Sequence, residues 1–267
     1  MSGRVLLAEG REAEVFLQSD GTVLKLMRVG ASTGSVEREA AALAALSADG
    51  IAAPQPLEII TVEDRPGLVM SRVEGEDLLV RLGRWPLSVL KAGKVLGRTH
   101  AALHDVIAPA SLPLLNRDLR ARIEAAAPLP DDLRAGALKI LDTLPQGDRL
   151  CHGDLHLGNL IGSWSRPAII DWGDACRGEP VADVARTELL QRLGSPPPGA
   201  PLVIRTLAPI GRNVLAARYL AAYRRHRPVP RANLTQWRIV RAAARLREPI
   251  PSEHPRLLRY LRRHLQA

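Results

Sequence analysis

The chain has 267 residues, 46% of them hydrophobic and 24% charged, and a net charge of +9, the balance of a folded globular protein rather than a disordered or fibrous one. That length suits one large domain or two tightly joined lobes. No run approaches the roughly 18 consecutive apolar residues of a membrane span, and two cysteines, Cys151 and Cys176, are too few for a disulfide framework and lack metal-ligand spacing, so a cytoplasmic protein with reduced thiols is expected.

The first 75 residues read as strands around one helix. Short apolar segments at 5–8 and 14–18 precede Asp20-Gly21, a hairpin turn, and a strand at 23–27. A helix is expected over 35–46, with Ser35 as its N-cap and Gly50 just past its end. Strands at 57–62 and 68–72 flank the turn-rich stretch Glu63-Asp64-Arg65-Pro66-Gly67. After Gly75 the apolar spacing becomes helical, and helices are expected over 87–103, 119–126, 131–144, 181–193, 202–224, 234–247 and 255–265. The exception is 149–173, which reads as strand, loop, strand, strand. The chain therefore divides near Gly75 into 1–75 and 76–267, an α+β arrangement. Pro196-Pro197-Pro198 marks an exposed loop.

Charge is unevenly placed. From Leu189 onward there are 16 arginines, no lysine and two acidic residues, a local charge of +14 against −5 for the rest. Such a segment attracts phosphate, nucleic acid or an anionic surface unless it is only a solvated helical face. Arg241 and Arg245, four apart, share a helical face and form a candidate anion site; Arg224 and Arg225 are adjacent and cannot both face one site. Aromatic residues make up only 3% of the chain, so any nucleic-acid binding would be to phosphate and strongly salt-dependent.

The densest chemistry lies in Cys151-His152-Gly153-Asp154-Leu155-His156-Leu157-Gly158-Asn159 and in Ile170-Asp171-Trp172-Gly173. Phosphoryl transfer needs a carboxylate to orient and deprotonate a hydroxyl, and oxygen ligands for a magnesium ion on the nucleotide phosphates. Asp154 suits the first task; Asn159 and Asp171 suit the second. His152 and His156 also read as a metal cluster, but the further His and Asp motifs of a metallophosphoesterase are missing, which favours structural roles for both.

On His152, Asp154 and Asn159, followed by Ile170-Asp171-Trp172 where protein kinases have Asp-Phe-Gly, the sequence resembles aminoglycoside phosphotransferases and choline-kinase-like small-molecule kinases. The resemblance covers about residues 5–190. It implies a two-lobed protein-kinase-like fold, with an N-terminal antiparallel sheet carrying one helix and a mainly helical C-terminal lobe. It further implies ATP and magnesium as cofactors and a small-molecule hydroxyl acceptor. Asp154 would be the base, Asn159 and Asp171 metal ligands, His152 a scaffold, and Asp183 a buried support for the loop.

The nucleotide-binding parts follow in the family's order. The turn at Gly10 could lay backbone N–H groups over phosphates. Lys25 stands where the family has its phosphate-binding lysine. Its carboxylate partner is Glu39 rather than Glu37, because Glu39 shares a helical face with Val36, Leu43 and Leu46. The stretch 68–75 resembles the hinge, with Met70 behind adenine and backbone groups of Ser71 and Val73 at its edge. Two other readings are a catalytically silent nucleotide-binding regulator, which would be expected to lack Lys25, Asp154 or Asp171, and a phosphate-binding nucleic-acid partner through the arginine-rich end.

Overall fold

The computed structural model describes residues 5–194 and 208–266. An N-terminal antiparallel sheet is formed by β1 (Val5–Glu9), β2 (Ala13–Leu17), β3 (Val23–Met27), β4 (Pro56–Val62) and β5 (Arg65–Met70), in the order β1-β2-β3-β5-β4. The central strands are the most apolar and the most buried, whereas β1 at one edge is exposed along its length. One helix, α1 (Thr33–Ala48), packs its buried face, Val36, Glu39, Ala42, Leu43 and Leu46, against the sheet.

Several boundaries differ from the sequence expectation, the helix expected over 119–126 by four residues at its start, and two of them have a plain local cause. Ser32, not Ser35, occupies the N-cap position, and the Ser35 hydroxyl donates back to the Ser32 carbonyl at 3.0 Å from within the first turn. The β4–β5 connection tightens to Glu63-Asp64, both with positive φ (51° and 61°), so Pro66 and Gly67 lie inside β5. A two-residue hairpin whose central residues are left-handed matches the twist of its strands, and that gain outweighs the absence of glycine there.

The remainder is mainly helical: α2 (Leu78–Arg84), α3 (Val89–Leu103), α4 (Leu115–Glu124), α5 (Asp131–Thr143), α6 (Pro180–Leu193), α7 (Ala208–Arg224), α8 (Arg231–Arg245) and α9 (His254–Leu265). The polyproline stretch and positions 202–207 of the expected helix lie outside the described residues. Short strands β6 (Arg149–Cys151) and β9 (Cys176–Gly178) pair, as do β7 (Leu160–Gly162) and β8 (Pro167–Ile169). Helix α2 and strand β9 had no counterpart in the sequence reading. Cys151 and Cys176 face one another across β6 and β9 as buried free thiols. Among the described residues no helix is long and apolar enough to cross a membrane.

Candidate active site

A cleft of about 1050 Å³ is lined from the sheet side by Lys25, Glu39 and Met70 and from the helical side by Asp154, Asn159 and Asp171. Its chemistry begins at Lys25, whose side chain leaves central strand β3. Lys25 Nζ lies 2.7 Å from Glu39 Oε2 and 2.7 Å from Asp171 Oδ1. Burial opposes its charge, but Glu39 and Asp171 outweigh burial and raise its pKa. Glu39 also accepts from the Trp172 N–H through Oε1 at 3.1 Å. One carboxylate thus ties the sheet lysine to the segment that carries Asp171. Asp171 adopts a left-handed backbone, φ 67°, a conformation uncommon outside glycine, asparagine and aspartate.

Asp154 lies in the loop after β6. Gly153 before it has φ +83°, and a Cβ there would fall 2.4 Å from the Asp174 carbonyl, so the loop closes against that segment only with glycine. Asp183, fully buried on α6, accepts from the N–H groups of His152 (2.6 Å) and Gly153 (3.0 Å). His152 Nε2 meets the Ile170 carbonyl at 3.0 Å, its ring lies against Trp172, and its Nδ1 accepts from the Asp154 N–H at 3.2 Å. Asn159 donates from Nδ2 to the Asp154 carbonyl at 3.1 Å. His156 accepts from the Gly158 N–H at 3.1 Å, a local loop bond.

At the mouth of the cleft, Met70 ends β5, buried opposite Val23 and Pro56. The Ser71 N–H donates to the Gln55 carbonyl at 2.9 Å, which leaves its own carbonyl and the Val73 N–H without protein partners among the described residues. Gly10, in the β1–β2 turn, donates to the Ala13 carbonyl at 2.9 Å. Met70, Ser71, Val73 and Gly10 all line the cleft.

Several charged groups that sequence reasoning did not single out stand here too. Arg186 is 2.8 Å from Asp154 and 2.9 Å from Glu248, and Arg122 is 2.6 Å from Asp174. Burial disfavours ionised Asp154, but Arg186, then His156, bring its pKa below the ordinary carboxylate value. Arg186 follows Asp183 by three positions on α6, one face of one helix, which was the only local signal for it. Behind the loop, His100 and His104 of α3 reach Asp183 Oδ2 through Nε2 at 3.1 and 3.4 Å, while their Nδ1 atoms each meet a tyrosine hydroxyl, Tyr219 and Tyr223, at 2.7 Å. Burial, then these two histidines, set the Asp183 balance, and its pKa falls well below the usual range.

The sequence model of the phosphotransferase enzyme family matches residues 4–208. The chain belongs to that family. Solved structures of similar fold include an aminoglycoside-3'-phosphotransferase of type VIII, at 22% identity and TM-score 0.60, covering 89% of this chain and 92% of that one. The aminoglycoside phosphotransferase APH(3'')-Id of Streptomyces rimosus is 21% identical with TM-score 0.58 over 91% of this chain and 93% of that chain. An APH(2'') enzyme in complex with GDP and kanamycin is 18% identical with TM-score 0.57, covering 100% and 92%. Comparison with curated protein sequences finds no match. The phosphotransferase family and the α+β architecture, an N-terminal antiparallel sheet followed by a helical part, accord with the sequence resemblance.

Proposed function

We propose that this phosphotransferase moves the γ-phosphate of ATP to a hydroxyl of a small molecule. The observation that carries the reading is the convergence of Lys25–Glu39, Asp171, Asn159 and Asp154 on one cleft from segments more than 100 residues apart. Lys25, held by Glu39, would bind the nucleotide phosphates; the Gly10 turn would cover them; Met70 would back the adenine, with the Ser71 carbonyl and Val73 N–H at its edge. Asp154 would orient the acceptor hydroxyl and take its proton. His152 and Asp183 would hold the loop that carries it.

Asn159 and Asp171 suit magnesium. Asn159 spends its amide nitrogen on the Asp154 carbonyl, which leaves its oxygen as the remaining ligand atom, and Asp171 adds a carboxylate whose side chain is 55% exposed. Both are hard oxygen donors, with no thiolate beside them. Magnesium held there would neutralise charge on the nucleotide phosphates.

The acceptor end favours a neutral or anionic compound over a polycation. At that end Asp174 is matched by Arg122 and Glu248 by Arg186 and Arg245, which leaves one carboxylate without an ion pair among the described residues, Glu12 near Asp174, against one exposed arginine without an acidic partner, Arg247. A site for a polycation needs unmatched negative charge. ATP consumption across sugars, nucleosides, amino alcohols and aminoglycosides, with magnesium, manganese or zinc, tests both points. Turnover of a sugar or metabolite with magnesium or manganese is expected. Turnover of aminoglycosides alone would overturn the charge argument, and activity after chelation of all divalent ions would overturn the metal assignment.

A further inference from the structure

Arg186 occupies a position that bracing of the fold does not exhaust. Its Nε donates to the Gly153 carbonyl at 3.1 Å, and its Nη2 lies 2.8 Å from Asp154 Oδ1 and 2.9 Å from Glu248 Oε1. The side chain is 6% exposed, yet the residue lines the cleft. Glu248 follows α8, and its second oxygen takes Arg245 Nη1 at 2.8 Å; Arg245 in turn binds Glu253 at 2.5 and 3.0 Å. A chain of alternating carboxylates and guanidiniums thus runs from Asp154 to the C-terminal helices, and its last three members lie beyond the family match at 4–208.

An acceptor oxygen hydrogen-bonded to Asp154 stands about 2.7 Å from that carboxylate, and the phosphorus it attacks lies one forming bond further on. The oxygens of the transferring group therefore come within reach of a guanidinium that itself touches Asp154. Charge spreads over those oxygens in transfer, and a fixed cation there lowers the barrier. His156 is the other cationic candidate near Asp154, at 3.8 Å, but burial lowers its pKa and favours the neutral ring. Lys25 is engaged by Glu39 and Asp171 on the sheet side.

Resting on the kinase reading above, we propose that Arg186 is a catalytic residue that contacts the γ-phosphoryl group during transfer, and that Glu248 is the positioning residue that aims it. The acceptor O–H proton passes to Asp154, the acceptor O–P bond forms, and the bond from phosphorus to the β,γ-bridging oxygen breaks with its electron pair leaving on ADP. Arg186 neither gains nor loses a proton.

Calorimetric binding of ADP, with and without aluminium fluoride as a mimic of the transferring phosphoryl group, tests this in the full chain with magnesium. Arg186→Gln should leave ADP affinity within about twofold of wild type while weakening the fluoride complex about 10²-fold, with Arg186→Lys intermediate. Glu248→Gln, which keeps Arg186 but removes the charge that holds it from the α8 side, should weaken the fluoride complex about tenfold and leave ADP unchanged. If Arg186→Gln loses ADP binding through misfolding, Arg186→Lys and Glu248→Gln decide. Wild-type affinity for the fluoride complex in both of these variants would overturn the role of Arg186. A wild-type chain that binds neither ADP nor the fluoride complex would instead overturn the kinase reading itself.

Discussion

At the scale of single residues, the proposed base is the sharpest point of test. Asp154 is kept ionised by Arg186 against the cost of burial, and its side chain meets Arg186 and His156 but not Lys25, Glu39, Asn159 or Asp171. Asp154→Ala should therefore lower kcat about 10²- to 10⁴-fold while leaving ATP affinity nearly intact. Single-turnover kinetics beside calorimetric ATP binding would separate the two, and an unchanged kcat with any working acceptor would remove the assignment. His104 gives a second residue-level expectation. Burial and then His100 lower its pKa from the usual 6.5 to about 3, against the pull of Asp183; Tyr223 and Arg227 are its other polar neighbours. Between pH 3 and 6.5 the unfolded chain binds the proton that folded His104 refuses, so stability is full above about pH 6.5 and declines as pH falls. The decline approaches about 1.4 kcal/mol per pH unit for one proton. Asp183, itself lowered, adds a slope of the same sign only as pH nears the ordinary carboxylate value of 3.8, below the range in which His104 is tested. Urea unfolding at pH 7.5, 6.5 and 5.5 should show the wild type losing stability with a slope about one proton steeper than His104→Gln; equal slopes would contradict the buried neutral imidazole.

At the scale of elements, α3 and α7 run side by side in contact through two glycines. A Cβ on Gly97 would fall 2.4 Å from the Tyr219 carbonyl and 2.8 Å from the Ala222 Cβ, and Gly93 meets Arg218 and Leu215 in the same way. This approach is what brings Tyr219 and Tyr223 to His100 and His104. Gly97→Ala must push backbone away from backbone, and a destabilisation of about 1–3 kcal/mol is expected from denaturant unfolding. Stability equal to wild type would mean that the helices separate at no cost. Helix α3 was legible because its apolar residues recur at helical spacing over many turns. Helix α2 was not: its seven residues are too few for a period, although Asp77 carries the cap signal and accepts from Leu79 and Val80 N–H at 3.0 and 2.8 Å. Strand β9 is three residues that become a strand only because β6 lies opposite.

At the scale of the whole molecule, several of the C-terminal arginines are spent on internal contacts, while others, among them Arg225, Arg247 and Arg262, stay exposed. Arg241, expected to share an anion site with Arg245, is buried and donates to the Ala182 carbonyl at 3.0 Å. Arg245 is buried against Glu253 and Glu248, and Arg192 and Arg238 both meet buried Glu188. Helix α8 turns Arg238, Arg241 and Arg245 toward the interior, whereas Arg256, Arg259, Arg262 and Arg263 of α9 are exposed, so the spacing of Arg241 and Arg245 reports packing and not a surface site. Breaking a buried pair from one side leaves the other charge poorly solvated. Arg245→Gln should accordingly cost about 3–5 kcal/mol in unfolding free energy while leaving the ATP KM little changed. A loss of acceptor affinity with full stability would restore the anion-site reading.

What the sequence by itself determined was whatever is written in spacing. Strand and helix periods gave the order of elements, the loop motif and Asp171 gave the candidate site, and helical phase chose Glu39, the carboxylate that stands 2.7 Å from Lys25. These are local properties, since hydrogen-bonding period and apolar phase are set by residues within a turn or two of one another. The tertiary structure alone decided that Arg186 and Glu248, far apart in the chain, would meet at Asp154, that two histidines and two tyrosines would close around Asp183, and that a segment of charge +14 would spend several arginines inside. Contacts of that kind carry no period. They depend on which helix faces which, and that choice is made by the packing of the whole core.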